Sequence, residues 1–141
     1  MIRVKRIEPL VIAVKSLEKA IPFFKEILGA QSAPPFPEDD YLMGQFTIGE
    51  SMIELLEPVD PNGPVAKFLE RKGEGVYAVN IQVEDLDEAI AELQSRGLKI
   101  LHKRDYEPPQ SSLKGTIWTR LAFIHPRETF GVLFIFGETK D

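Results

Sequence analysis

The sequence predicts an α+β fold built from two tandem βαβββ modules, and two observations carry that prediction. The stretch "RIEPLVIAVKSLEKAI" (Arg6 to Ile21) passes from a strand-like into a helix-like pattern, and "VYAVNIQVEDLDEAI" (Val76 to Ile90) repeats it. Ile12, Val14, Leu17, Ala20 and Ile21 match Ile81, Val83, Leu86, Ala89 and Ile90, all at an offset of 69. The same order of elements follows each copy, and a repeat of this kind governs how every later motif is read.

In chain order, Leu10, Ile12 and Val14 form one apolar face of a strand, with Pro9, Val11 and Ala13 on the other. Ser16 stands at a helix N-cap, and Leu17, Ala20, Ile21, Phe24, Ile27 and Leu28 follow at helical spacing. Pro22 falls inside that pattern, where its missing N–H kinks the helix or delays its start; Gly29 ends it. "QSAPPFPEDD" reads as a loop. "YLMGQFTIGESMIELLEP" reads as a hairpin turning at Ile48-Gly49-Glu50, and "DPNGPVAKFLERKGEG" as a turn, a short amphipathic helix and a second turn. After the second copy come a helix over about Leu86 to Arg96, a stop at Gly97 and a strand over Lys99 to His102. A loop, "DYEPPQSSLKG", then leads to a hairpin of "TIWTRLAFI" and "GVLFIF" joined by "HPRET".

The 141 residues are read as one domain: a module over about 1–62, a linker helix over about 63–73 and a module over about 74–141. With 22 acidic against 17 basic side chains, the formal charge is −5, which speaks against a nucleic-acid surface. Cysteine is absent, which excludes disulfides, thiolate metal sites and cysteine nucleophiles. No apolar run approaches membrane-span length, and the amino-terminal stretch lacks a small-residue cleavage site, so the expectation is a cytoplasmic protein with no membrane partner. Nucleophile-elbow, Walker and dinucleotide-binding motifs are missing.

Two tandem βαβββ modules carrying "IAVKSLEKAI", "GESMIELLEP", "PVAKFLERKGEGV", "LAFIHPR" and "GVLFIF" resemble the vicinal oxygen chelate superfamily of glyoxalases, bleomycin-resistance proteins and dioxygenases, and most of all its methylmalonyl-CoA epimerases. The resemblance implies a curved, partly closed mixed sheet around a pocket, helices outside, and a homodimer. It also implies four metal-ligand positions, which fall here on Pro9, Glu54, Ala78 and Ile135. Three of these carry no lone-pair donor, whereas a divalent ion needs several converging donors. The epimerase's two bases fall on or beside Met43 and on Ile135, neither of which takes a proton. The expectation is a pocket with no metal and no cofactor.

Residues at the pocket-facing positions are then candidates for contact with a ligand. Period two places Pro9, Val11, Ala78, Asn80 and Gln82 forward, with Glu54 between Met52 and Leu56, and Met43 and Gln45 on the neighbouring strand. Glu54 is either a general acid/base or a solvated or paired carboxylate at an open edge; Gln82 is expected in solvent. Trp118 and Arg120 flank the loop from Asp105 to Gly115, a candidate lid that also carries Tyr106, and only one of the two is expected to face inward. His125 fits a turn-stabilising role beside the pocket, His102 a charged surface, and Arg127 a solvated turn or an anionic group. Two functions follow. One is a glyoxalase/bleomycin-resistance-like protein binding a small organic molecule, an acyl-CoA or a hydrophobic metabolite, through Pro9, Val11, Met43, Gln45, Glu54, Ala78, Asn80, Trp118, Arg120, His125 and Ile135. The other is a divergent isomerase or lyase, related to methylmalonyl-CoA epimerase or lactoylglutathione lyase, with Glu54 as acid/base. Beside these two functions stands a dimer-forming interaction module whose pocket is filled by its own side chains.

Overall fold

A computed structural model describes residues 1–105 and 118–139. These residues fall into two compact units: one holds 9–77, the other 1–8 together with 78–105 and 118–139. The chain passes between units at Glu8/Pro9 and at Tyr77/Ala78, positions related by the repeat offset. Among the described residues no helix is long and apolar enough to cross a membrane.

The first unit takes the end of β1 (Val4–Ala13), α1 (Leu17–Pro22), a π-helical turn (Phe23–Ile27), β2 (Gln31–Ser32), β3 (Phe36–Glu38), β4 (Tyr41–Ile48), β5 (Ser51–Pro58) and α2 (Pro64–Lys72). Ser16 caps α1, its side chain accepting from the Lys19 N–H at 3.3 Å. Pro22 closes the regular helix because it has no N–H to donate, and the wider π turn takes over at Phe23. Gly29 (φ 68°) and Gly49 (φ 57°) occupy the left-handed region that their turns require. β2 and β3 form within the stretch expected as loop, because short segments on either side of Pro34 and Pro35 find open hydrogen-bonding positions along β4.

The strands run in the order β2-β4-β5-β1, β3 also pairing with β4; β1 is parallel to β5 and β4 antiparallel to it. Val14, Leu17, Ala30, Phe46 and Leu55 pack between α1 and the sheet, with Ile12, Ala20, Phe24 and Ile53 around them. Burying a side chain such as Phe46, Leu17 or Leu55 contributes about 1.5–3 kcal/mol each. Ile12 on β1 and Val14 just after it pack toward α1, as the alternation predicts, while Leu10, expected on the same face, is left exposed.

The second unit holds the start of β1, most of β6 (Gly75–Val83), α3 (Leu86–Ser95), β7 (Ile100–Asp105), β8 (Trp118–Ile124), a 3₁₀ turn (Pro126–Glu128) and β9 (Phe134–Thr139). Its order, β6-β9-β8-β7, reproduces that of the first unit. Val83, Leu86, Ala89, Leu93, Ala122, Ile124 and Phe136 form the core beneath α3. Asp85 caps α3 as Ser16 caps α1, accepting from the Glu88 N–H at 3.0 Å.

A second shared device locks each helix to its last strand. The Leu17 N–H donates to Glu57 Oε1, and the Leu86 N–H to Glu138 Oε2, both at 2.8 Å. The first N–H of a helix has no intrahelical partner, so a carboxylate from the sheet satisfies it. Leu17 and Leu86 are repeat-equivalent; Glu57 and Glu138 therefore are too, and this brings Glu54 and Ile135 into correspondence.

Candidate functional site

The first unit's sheet turns one face to α1; the opposite face holds its candidate residues. Residues directly opposite on paired strands share a face. Glu54 on β5 lies opposite Val11 on β1 and Gln45 on β4, while Leu56 lies opposite Ala13 and Met43. Val11, Ala13, Met43, Gln45, Met52 and Leu56 are all buried, and Glu54 is only 7% exposed. Gln45 Nε2 donates to Glu54 Oε2 at 3.1 Å. Burial pushes the Glu54 carboxyl up to about 7, the Gln45 hydrogen bond pulls the other way, and the negative charge of Glu38 adds to the rise. At neutral pH this carboxyl is close to half-protonated, able both to donate and to accept a proton.

Glu38 was not among the residues singled out from the sequence. It pairs with Tyr41 at the end of β3, as Phe36 pairs with Met43, so it shares the face of Met43, Gln45 and Glu54. The alternation Phe36, Glu38 about Pro37 was a signal for it, hidden by the prolines around it. Pro9 is fully buried and immediately precedes the first β1–β5 pair, Leu10 with Ile53. A residue without an N–H fits there, where regular pairing begins.

In the second unit the same positions carry the opposite polarity. Asn80 lies opposite Ile135, where the first unit has Val11 opposite Glu54. Ala78 and Asn80 are buried, and Ile135 is half-buried. Gln82 is also buried, at 1% exposure, so its expected place in solvent is not observed. It accepts from Arg6 Nη1 at 3.0 Å and donates through Nε2 to the Glu8 carbonyl at 3.1 Å, and these partners cover it.

Trp118 and Arg120 separate to different sides. The β8–β9 register shifts between them. Trp118 is buried over Gly137, where a Cβ would stand 2.3 Å from ring atom Cζ3; Gly137 lies opposite Gln82, so the ring lies on the Gln82 side. Arg120 is drawn toward α3, where Nη1 donates to Asp87 Oδ1 at 3.0 Å and Nη2 to Glu138 Oε2. The hydrogen bond to Glu138 leads in raising the Arg120 pKa, with Asp87 next. His125 caps the 3₁₀ turn, its Nδ1 accepting from the Arg127 N–H at 3.0 Å, and Arg127 itself is exposed. The His102 side chain, Tyr106 and the remainder of the expected lid lie outside the described residues.

The donor set does not fit the metal implied by the resemblance. Of its four positions only Glu54 offers an oxygen, and Glu54 is already hydrogen-bonded to Gln45. Among the described residues no group of three His, Asp or Glu side chains is placed to hold an ion. One carboxylate does not supply the converging ligands that a divalent cation requires.

A family model described as the Glyoxalase/Bleomycin resistance protein/Dioxygenase superfamily matches residues 10–113. The human mitochondrial methylmalonyl-CoA epimerase is 32% identical over 131 residues, spanning 91% of this chain and 70% of that protein. An ethylmalonyl-CoA/methylmalonyl-CoA epimerase of Cereibacter sphaeroides is 30% identical over 131 residues, spanning 91% and 93%. Among solved structures, methylmalonyl-CoA epimerase from Mycobacterium tuberculosis superposes with a TM-score of 0.83 at 26% identity, covering 98% of this chain and 90% of that one. Repeat, strand order and sequence agree: the chain belongs to the glyoxalase/bleomycin resistance protein/dioxygenase superfamily.

Proposed function

We propose that this chain binds a small organic molecule against the sheet face carrying Glu54, without a metal at the family's position, and that Glu54 is the group through which it acts on or orients that ligand. The observation that carries this reading is the Glu54–Gln45 pair buried among Val11, Ala13, Met43 and Leu56, with the carboxyl raised to about 7. A few polar groups among apolar walls is the usual make-up of a small-molecule site. A protonated Glu54 donates to a carbonyl or carboxyl oxygen, and an ionised one accepts a proton from an acidic carbon or an amine. Pro9, where the resemblance places a metal ligand, favours the apolar part of a ligand on that face.

The second reading is a divergent epimerase or related isomerase or lyase acting on an acyl-CoA. The relatives named as methylmalonyl-CoA epimerases support it. So does Glu38, which supplies a second carboxylate on the Glu54 face at a distance where charge is felt. Such a reaction removes a proton from one side of the carbon and returns it from the other, so it needs two such groups.

One set of experiments separates these readings. Protein purified without chelators is submitted to elemental analysis, to native mass spectrometry and to an epimerase assay with methylmalonyl-CoA, beside the Glu54→Gln variant. The binding reading expects substoichiometric metal, a retained small molecule and no turnover. Turnover that Glu54→Gln abolishes, while acyl-CoA binding survives, selects the enzyme. Stoichiometric divalent metal with full turnover refutes the metal-free proposal outright. A homodimer belongs to the same proposal, with sedimentation as its test.

A further inference from the structure

The repeat supplies its own evidence about a groove on the first unit. This groove, about 480 Å³ in volume, lies beside α1 and is lined by Val14, Lys15, Lys19, Ala20, Phe23 and Glu74 among others. The Phe23 ring is half-exposed, set outward by the π turn, while Phe24 packs inward on Phe46. Two lysine side chains line it in a chain whose formal charge is −5.

The equivalent place on the second unit is occupied by the chain itself. Lys15 and Lys19 correspond, at the repeat offset, to Glu84 and Glu88, and their caps Ser16 and Asp85 correspond in the same way. There the extended segment Ile2–Arg3 is laid along the surface. The Arg3 carbonyl accepts from the Glu84 N–H at 3.0 Å, and the Arg3 guanidinium meets Glu84 at 2.9 Å and Glu88 at 2.7 Å. Ile2 packs against the core beneath α3. On the first unit the corresponding residues, Arg71 and Lys72, are wound into the end of α2. They leave the groove open, and the Lys15 N–H is held by Glu74 Oε2 at 2.8 Å instead of by a main-chain carbonyl.

We propose that this groove takes an extended acidic segment of a partner protein, an apolar residue followed by Asp or Glu, laid against Lys15 and Lys19 as Ile2–Arg3 is laid against Glu84 and Glu88. The charges are reversed between the two surfaces, so the segment's charge reverses too. The apolar residue meets Phe23, Ala20 and Val14 in place of the contacts Ile2 makes. The segment's main-chain carbonyl takes over the Lys15 N–H from Glu74, whose own negative charge opposes an acidic partner. Complementary charge of this exposed kind sets selectivity and salt dependence more than strength.

The test uses the full chain and a fluorescently labelled peptide, acetyl-Ser-Ile-Glu-Val-Gly-amide, with a control carrying Lys for Glu. Fluorescence anisotropy at low salt is expected to show saturable binding of the acidic peptide alone. The double variant Lys15→Glu/Lys19→Glu is expected to weaken it about ten-fold and to acquire binding of the Lys peptide. Glu74→Gln is expected to strengthen it about three-fold. Both lysines are exposed, so circular dichroism should be unchanged; Lys19→Glu alone provides a second, milder variant. The proposal is overturned by no saturable binding up to roughly 1 mM peptide, by equal binding of both peptides, or by acetate or phosphate competing at the peptide's own concentration. Sedimentation showing a dimer that these lysine variants dissociate overturns it as well, by assigning the groove to a second copy.

Discussion

Replacing Glu54 by Gln should raise the stability of the protein at alkaline pH and leave it nearly unchanged at acidic pH. The native carboxyl titrates near 7 and the unfolded one near 4.5, so between those values the native state holds a proton that the unfolded state has released. Stability therefore falls as pH rises through that window. Below about 4.5 both states are protonated and nothing is lost; above about 7 the full cost is present. A difference of about 2.5 units at 1.36 kcal/mol each amounts to about 3 kcal/mol. The cost arises because burial strips water from the ionised form, and the single bond from Gln45 does not replace it.

Gln at position 54 keeps an amide oxygen to accept from Gln45 Nε2 and removes the charge. At pH 8 the variant should exceed the wild type by about 2–3 kcal/mol, allowing for a weaker neutral hydrogen bond. At pH 5 the two should agree within about 1 kcal/mol. Urea unfolding of both proteins at pH 5, 6, 7 and 8 measures this, and comparing them cancels titrations elsewhere. A difference that is flat with pH, or one that grows toward acid, would show that the carboxyl is hydrated or paired with a cation, and the reasoning about Glu54 would fail.

Other perturbations test the surrounding structure. Gly137→Ala sets a methyl group 2.3 Å from the Trp118 ring and should cost about 2 kcal/mol or more, with a shift in tryptophan emission as the indole moves. Phe130, at φ 63° and almost fully exposed, occupies a conformation that suits glycine, so Phe130→Gly should stabilise the protein by about 1 kcal/mol in thermal unfolding. Glu57→Gln and Glu138→Gln each weaken the bond from sheet to helix and should each cost about 1 kcal/mol, Glu138→Gln the more because Arg120 loses a partner.

The parts of the fold legible in the sequence were those fixed by local rules. Ser16 and Gly29 bracketed the first helix, Pro22 disturbed it, and Gly49 marked the hairpin turn, each through backbone chemistry that depends on its own residue. The faces of β1 and β6 followed from period two. The proline-rich stretch after Gly29 was misread because pairing with β4, a tertiary matter, overrides its loop-like composition. Gln82 was expected in solvent because nothing local reveals that Arg6 and Glu8, more than seventy residues earlier, enclose it. Glu38 was passed over for a related reason: its importance lies in sharing a face with Glu54, and that depends on a register between strands. Trp118 and Arg120, two residues apart, would share a face of a regular strand; the register shift between them sends them to different sides, and no local pattern announces that shift.

The two halves of the chain show why fold and function differ in legibility. Positions that face a helix, and the carboxylates Glu57 and Glu138 that hold the helix ends, keep their chemistry across the repeat because the folded state requires it. The positions on the opposite face do not. Val11 and Glu54 in one unit stand where Asn80 and Ile135 stand in the other, with the backbone register unchanged. Main-chain bonds fix that register, so the side chains projecting from the face can change without disturbing it. A sheet can then carry Pro9, Ala78 and Ile135 where the resemblance places metal ligands, keep one buried carboxylate and still fold in the same way. For that reason membership of the superfamily alone does not supply the chemistry of this chain, and the proposal made above for Glu54 needs its own test.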